Sequence, residues 1–313
     1  MIEIVSCLNF KLEKEEAANS LRRSTPKNQH MNPTLRLHCL LMASLALVAP
    51  IHAADDVTPE RETKGSANSE YGKTKPSQGK VIEKLEAGMI ETPVKMPWRL
   101  FVPEGATKEK PLPLILFLHG SGKMGTENIG PMSLAWEFIT PEAQAKNPCF
   151  VLAPQLPKGT FWMHYDEKTR GSYNADQVKI TAEMQATLSL VEKLAGERPI
   201  DRKRLYVIGQ SRGGFGTWDA MIRRPDLWAA GVPICGAGDP NKAELIKSIP
   251  IWAWHGANDA AVPVAGSREM IEALKKAGAN PLYTEPHNVG HGVWVPALED
   301  PKLHEWLFNQ RKP

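Results

Sequence analysis

The stretch Leu205-Tyr206-Val207-Ile208-Gly209-Gln210-Ser211-Arg212-Gly213-Gly214 decides the reading of this chain. Its first half is a continuous apolar run, as expected of a strand buried on both faces. Its second half is G-x-S-x-G, followed by a helical stretch from Thr217 to Arg223. A serine between small residues at a strand-to-helix turn is lifted off the sheet into a pocket. Gly209 and Gly213 leave room for the close approach of strand and helix. Ser211 is therefore the candidate nucleophile.

Apolar runs of the same kind lie on either side. Leu114–Leu118, Phe150–Pro154, Gly231–Ile234 and Ile251–His255 are expected as strands, with Leu282–Thr284 a weaker one. Glu91–Val102 reads as an extended segment, with Trp98, Leu100 and Val102 in alternation. Helical patterns lie between. Ile180, Met184, Leu188, Val191 and Leu194 share one helical face, and Ser267–Ala277 and Lys302–Gln310 also read as helices. Strands alternating with helices predict an α/β fold, a doubly wound, mostly parallel sheet with helices on both faces.

A serine hydroxyl needs a base, and the base needs an orienting acid. In such a sheet they follow the serine in the order acid, then histidine. Asp259, in Gly256-Ala257-Asn258-Asp259 after a strand, sits at the carboxyl edge that Ser211 shares. Asp239 competes but precedes Pro240, a turn context. Two histidines qualify as base, His287 and His291, with His304 more distant. The glycines flanking His291 favour it. The N–H of Arg212 and the N–H of Ser121, with Gly122 next, are the expected donors to an oxyanion. Ser121 follows the strand Leu114–Leu118 in His119-Gly120-Ser121-Gly122. His119 precedes the serine and is read as structural. Trp162, with His164 and Tyr165 in the segment Pro154–Tyr173, and Trp294 beside His291 are candidate substrate contacts. This chemistry calls for no metal and no organic cofactor.

The 313 residues are 42% hydrophobic and 23% charged, with a net charge of +3. One catalytic domain is expected over 81–313. The small charge surplus argues against a nucleic-acid partner. Residues 1–30 read as an upstream extension. From Met31, a short basic stretch precedes the apolar run Leu40–Val48 and then Ala53-Ala54, the parts of a secretory signal over 31–53. The run is too short to span a bilayer, which takes about 20 residues. No stable membrane insertion is expected after cleavage, and the mature protein is expected to be secreted or periplasmic. The polar stretch 54–80 reads as a flexible leader. Beyond the signal, 32 basic and 31 acidic residues remain. Cys149 and Cys235 also remain, at opposite strand edges too far apart to bridge.

The segments LFLHGSG (Leu116–Gly122), YVIGQSRGG (Tyr206–Gly214), WHGANDAAVP (Trp254–Pro263) and GHGVW (Gly290–Trp294) together resemble the α/β-hydrolase superfamily over about Val81 to Leu307. The resemblance is to the branch of polyhydroxyalkanoate depolymerase-like, feruloyl and acetyl xylan esterases and prolyl-oligopeptidase-like catalytic domains. It implies a Ser211–His291–Asp259 triad and a serine esterase acting on a short-acyl or carbohydrate-linked ester. A secreted peptidase or amidase is the alternative. About 40 residues separate the expected cleavage site from the first extended segment, too few for a propeller built of four-stranded blades, so the esterase reading leads.

Overall fold

The computed structural model describes residues 75–168 and 170–313. The expected extension over 1–30, the signal over 31–53 and most of the 54–80 leader lie outside the described residues. The first elements of the described residues are α1 (Pro76–Ile82), β1 (Glu86–Ile90), β2 (Met96–Phe101) and β3 (Leu112–Leu118). Next come α2 (Gly130–Leu134), α3 (Pro141–Lys146), β4 (Phe150–Pro154), α4 (Ala182–Glu197) and β5 (Ile200–Gln210). Then follow α5 (Arg212–Arg223), β6 (Ala230–Ile234), α6 (Ala243–Ile246), β7 (Trp252–Trp254) and α7 (Ala265–Lys276). The last elements are β8 (Leu282–Thr284), α8 (Trp294–Glu299) and α9 (Pro301–Phe308).

The eight strands form one sheet in the order β1-β2-β4-β3-β5-β6-β7-β8. The six strands from β4 to β8 in that order run parallel, and β1 and β2 are antiparallel at one edge. The apolar runs become buried strands because each has a core on both faces. In β3, Leu112, Leu114, Leu116 and Leu118 join one cluster, while Ile115 and Phe117 join the other. In β5, Leu205 and Val207 face the first cluster, Tyr206 and Ile208 the second. Helices α4, α5 and α7 cover the first face, and α2, α8 and α9 the second. Met184, Leu188, Val191 and Leu194 of α4 are all buried, as their spacing predicts. Thr181 caps that helix by accepting from the Met184 N–H at 3.1 Å.

Two expectations need correction. The segment read as a single extended piece over Glu91–Val102 is the second arm of an antiparallel pair. Its partner β1 is easily missed because it carries Gly88. A Cβ there would lie 2.1 Å from the Trp98 ring, so glycine is what lets that ring cross the strand. The folded body also begins earlier than Val81, since α1 starts at Pro76 and its Ile82 is fully buried. Cys149 and Cys235 are free and buried. Among the described residues, no helix is long and apolar enough to cross a membrane.

Candidate active site

The chain order reverses between β3 and β5, which are neighbours, and clefts open at the carboxyl ends of strands at such a point. Leu118 of β3 pairs with Gly209 of β5, so the loops after them lie side by side. Ser211 falls between β5 and α5 with φ 52° and ψ −118°, left-handed backbone for a residue with a side chain. The first turn of α5 holds it there. The Gly214 and Phe215 N–H groups donate to the Ser211 carbonyl at 2.7 and 3.1 Å. A Cβ on Gly213 would lie 1.8 Å from the Leu118 carbonyl oxygen, which is why the helix can start so close to β3.

His291 comes from the loop after β8 and Asp259 from the loop after β7. The Ser211 hydroxyl donates to His291 Nε2 at 2.9 Å, and His291 Nδ1–H donates to Asp259 Oδ2 at 2.7 Å. Asp259 Oδ1 accepts from the Ala261 and Val262 N–H groups, both at 2.8 Å. His255, fully buried at the end of β7, places Nε2 3.3 Å from Asp259 Oδ2. Burial by itself would raise the Asp259 carboxyl. The hydrogen bonds from His255, His291 and Val262 outweigh it and hold the group well below the usual carboxylate range. An acid held in its ionised form behind a largely buried imidazole fixes the ring with Nε2 as acceptor, and that nitrogen can take a proton from Ser211.

His119 does a different job. Its Nε2 accepts from the Leu156 N–H at 3.0 Å, so Nδ1 carries the proton and donates to the Gly120 carbonyl at 2.7 Å. Burial pulls its pKa down to about 4, against the opposing pull of that carbonyl bond, so the ring is neutral. The Lys123 N–H also donates to the Gly120 carbonyl, at 3.1 Å. In a trans peptide the N–H points opposite to the C=O. Pinning the Gly120 oxygen therefore turns the Ser121 N–H away from the His119 ring. Ser121 and Arg212 both line the cavity that contains Ser211 and His291.

The cavity holds about 560 Å³ and has apolar walls from Leu134, Tyr165, Phe215, Val262 and Trp294. Tyr165 stacks on Phe215 with ring centroids 4.5 Å apart. Trp294 meets His291 edge-on at 5.2 Å. Trp162, expected at the substrate, is instead wholly buried in the core. Its indole N–H donates to the His119 carbonyl at 3.0 Å, and its Cβ would lie 2.7 Å from a Cβ at Gly216. An aromatic residue in a loop can turn either way, and this one found a carbonyl acceptor beneath the sheet edge. His287 contributes a backbone carbonyl to Asn258, and His304 packs on Phe138, so neither meets Ser211. Asp239 accepts from the Ala175 and Asn241 N–H groups as a turn residue.

Two contributors went unread in the sequence. One is His255. The other is the Arg212 side chain, since the motif predicts a role only for its N–H. Its Nε donates to Ser121 Oγ at 3.0 Å, its Nη1 donates to the Thr160 carbonyl at 2.9 Å, and its guanidinium lies 4.2 Å over the Phe161 ring. One side chain thus ties α5 to the loop after β3 and to the loop after β4. A signal existed for His255. The dipeptide His-Gly occurs at 119–120, 255–256 and 291–292, directly after a strand in the first two cases and in the loop after β8 in the third, and all three histidines converge on this site.

Cys235, Asp259 and His291 bring potential ligand atoms within 4.8 Å of one another. They make a poor metal cradle. Burial, then the Asp259 charge, push the Cys235 thiol well above its usual range, and the imidazole and carboxylate are already bonded to each other.

A serine bonded to a histidine–aspartate pair at the carboxyl edge of a mostly parallel, doubly wound sheet defines an α/β hydrolase. The sequence profile of the phospholipase/carboxylesterase family matches residues 101–304, and the chain belongs to that family. A thermostable esterase of known structure is 36% identical, with a TM-score of 0.68, covering 74% of this chain and 64% of its own. A ferulic acid esterase superposes with a TM-score of 0.52 at 15% identity, covering 72% of this chain and 96% of its own, a likeness of fold. The bifunctional acetylxylan esterase/xylanase of Neocallimastix patriciarum is 27% identical over 147 residues, 47% of this chain. This chain matches only 19% of the length of that larger protein.

Proposed function

We propose that Ser211 is the nucleophile of a serine esterase, with His291 as its base, Asp259 as the acid that orients the base, and an acyl-enzyme intermediate. The unbroken hydrogen-bond path from Ser211 Oγ through His291 to Asp259 Oδ2 carries the reading. Ser211 Oγ attacks the ester carbonyl as its proton passes to His291 Nε2. The developing oxyanion takes hydrogen bonds from the Ser121 and Arg212 N–H groups, each worth about 3–4 kcal/mol in the transition state. His291 gives the proton to the departing alcohol, and water then releases the acyl group by the same route. No step calls on a metal or organic cofactor. Trp294, edge-on to His291, lines the approach of the substrate.

The substrate is a short-acyl ester, carbohydrate-linked by analogy with the acetylxylan esterase relative. Export fits such a substrate, with the signal at 31–53 removed near Ala53–Ala54. N-terminal sequencing of protein recovered outside the cytoplasm tests the export step, and a chain still starting at Met1 refutes it. For the chemistry, Ser211→Ala is assayed on 4-nitrophenyl acetate, and the parent protein is treated with a fluorophosphonate probe. Loss of turnover and labelling of Ser211 alone are expected. Full turnover in the variant refutes the assignment. A panel of acetylated sugars, feruloyl esters and peptides then separates carbohydrate-ester from peptidase activity.

A further inference from the structure

Three cationic side chains line the Ser211 cavity, Lys123, Arg170 and Arg212, together with one acid, Glu167. Arg212 and Glu167 stand 3.6 Å apart, and the other Arg212 donors are occupied by Ser121 and Thr160. That charge is matched. Asp259 is closed to any ligand, since its side chain is fully buried and its oxygens already accept from the surrounding N–H groups. Arg170 differs. Its Nη1 and Nε donate to the Ala261 and Glu167 carbonyls at 2.9 and 3.2 Å. Carbonyls hold the fork in place and leave its charge uncancelled.

Lys123 is the sharper case. It is half-buried, and burial pulls its ammonium below the usual lysine range despite the field of Glu127. Among the described residues, its ammonium has no acid within 4 Å and no hydrogen-bond acceptor. The Glu127 carboxylate accepts from the Gly130 N–H instead, at 3.3 Å. A partly desolvated ammonium whose nearest acid, Glu127, stands beyond ion-pair distance is under-compensated unless something else supplies negative charge. The apolar walls Leu134, Tyr165, Phe215 and Val262 supply none.

We infer that the ester cleaved at Ser211 carries a carboxylate on its acyl or its alcohol part, and that Lys123 and Arg170 bind that carboxylate. This rests on the serine-esterase reading. Neutral portions of the substrate lie against the aromatic and aliphatic walls, and the two cations select among esters by charge.

The experiment compares matched ester pairs on the full chain. One pair, 4-nitrophenyl hydrogen succinate and 4-nitrophenyl methyl succinate, places the charge on the acyl side. The other, 3-acetoxybenzoate and its methyl ester, places it on the alcohol side. For one pair, the charged ester is expected to be favoured about tenfold in kcat/KM at low salt. That preference should shrink to less than about threefold in 0.5 M NaCl, where screening is strong. Lys123→Met and Arg170→Gln should each lower the charged-to-neutral ratio about threefold, within the range for partly exposed ion pairs. The ratio is taken within each protein, so a variant with a damaged fold affects both members alike, and the salt series needs no variant. A ratio near one for both pairs overturns the proposal. So does a preference that neither salt nor either substitution changes. Turnover of the neutral esters that persists in Ser211→Ala would instead refute the nucleophile assignment.

Discussion

Replacing His119 with asparagine tests how the loop after β3 is held. In the fold the ring is neutral with a pKa of about 4, and in the unfolded chain it titrates at an ordinary 6.5. Between those values the unfolded chain binds a proton that the native state refuses. The contribution of His119 is therefore fully present above about pH 6.5 and is lost as the pH falls toward 4. The full difference is ~3 kcal/mol, of which ~2 kcal/mol disappears between pH 7 and pH 5. Urea unfolding of both proteins at the two pH values measures this directly. His119→Asn keeps a donor for the Gly120 carbonyl but leaves the Leu156 N–H without its acceptor. A loss of ~2 kcal/mol at pH 7 is expected. The variant should then lose ~2 kcal/mol less than the parent on going to pH 5. The buried, depressed His304 titrates in both proteins and cancels. Equal pH sensitivity in parent and variant would refute the neutral-ring argument, and with it the tautomer that fixes the Gly120 carbonyl.

Asp259→Asn should lower kcat about 10⁴-fold, because the His291 tautomer is lost, and should also lower the thermal midpoint, because His255, His291 and the Val262 N–H lose a buried carboxylate acceptor. Arg212→Met should lower kcat about tenfold while KM moves less, and Arg212→Lys should recover only part of it, since a lysine cannot bond Ser121 and Thr160 together. In Gly213→Ala the new methyl would lie 1.8 Å from the Leu118 oxygen. The strand-to-helix turn must move, at a cost above about 3 kcal/mol, read as a fall in thermal midpoint and in soluble yield. Cys149 and Cys235 are fully buried, and burial pushes the Cys149 thiol up to about 12. Mass mapping after a thiol reagent should find both unlabelled in the native protein and both labelled in urea.

The central strands were legible because each is an uninterrupted apolar run, and burial on both faces of a sheet leaves that signature. The order Ser211, Asp259, His291 was legible for a related reason, since each residue follows a strand and all strand ends of one direction meet at one edge. Helix α4 declared itself through its spacing. What stayed hidden depended on side-chain direction. Trp162 and Tyr165 are three residues apart in one loop, yet one fills the core and the other walls the cavity. The Arg212 guanidinium and the His255 ring act through partners 91 and 4 residues away, and composition carries no record of such pairings. Strand β1 was missed because Gly88 interrupts it, and that gap is what its neighbour Trp98 requires.

Asp259 and His291 hang from the thinnest part of the sheet. Strands β7 and β8 are three residues each, while β5, which delivers Ser211, has eleven. The halves of the reactive path are thus anchored with unequal firmness. An outer edge that frayed first would part the acid and base from the serine while the centre of the sheet still stood. That edge is fastened by the Trp252 indole, which donates to Thr284 Oγ1 at 2.9 Å and meets the Trp306 ring edge-on at 5.5 Å. A tryptophan in the last helix, remote from Ser211, thereby braces the short strands that carry the acid and the base.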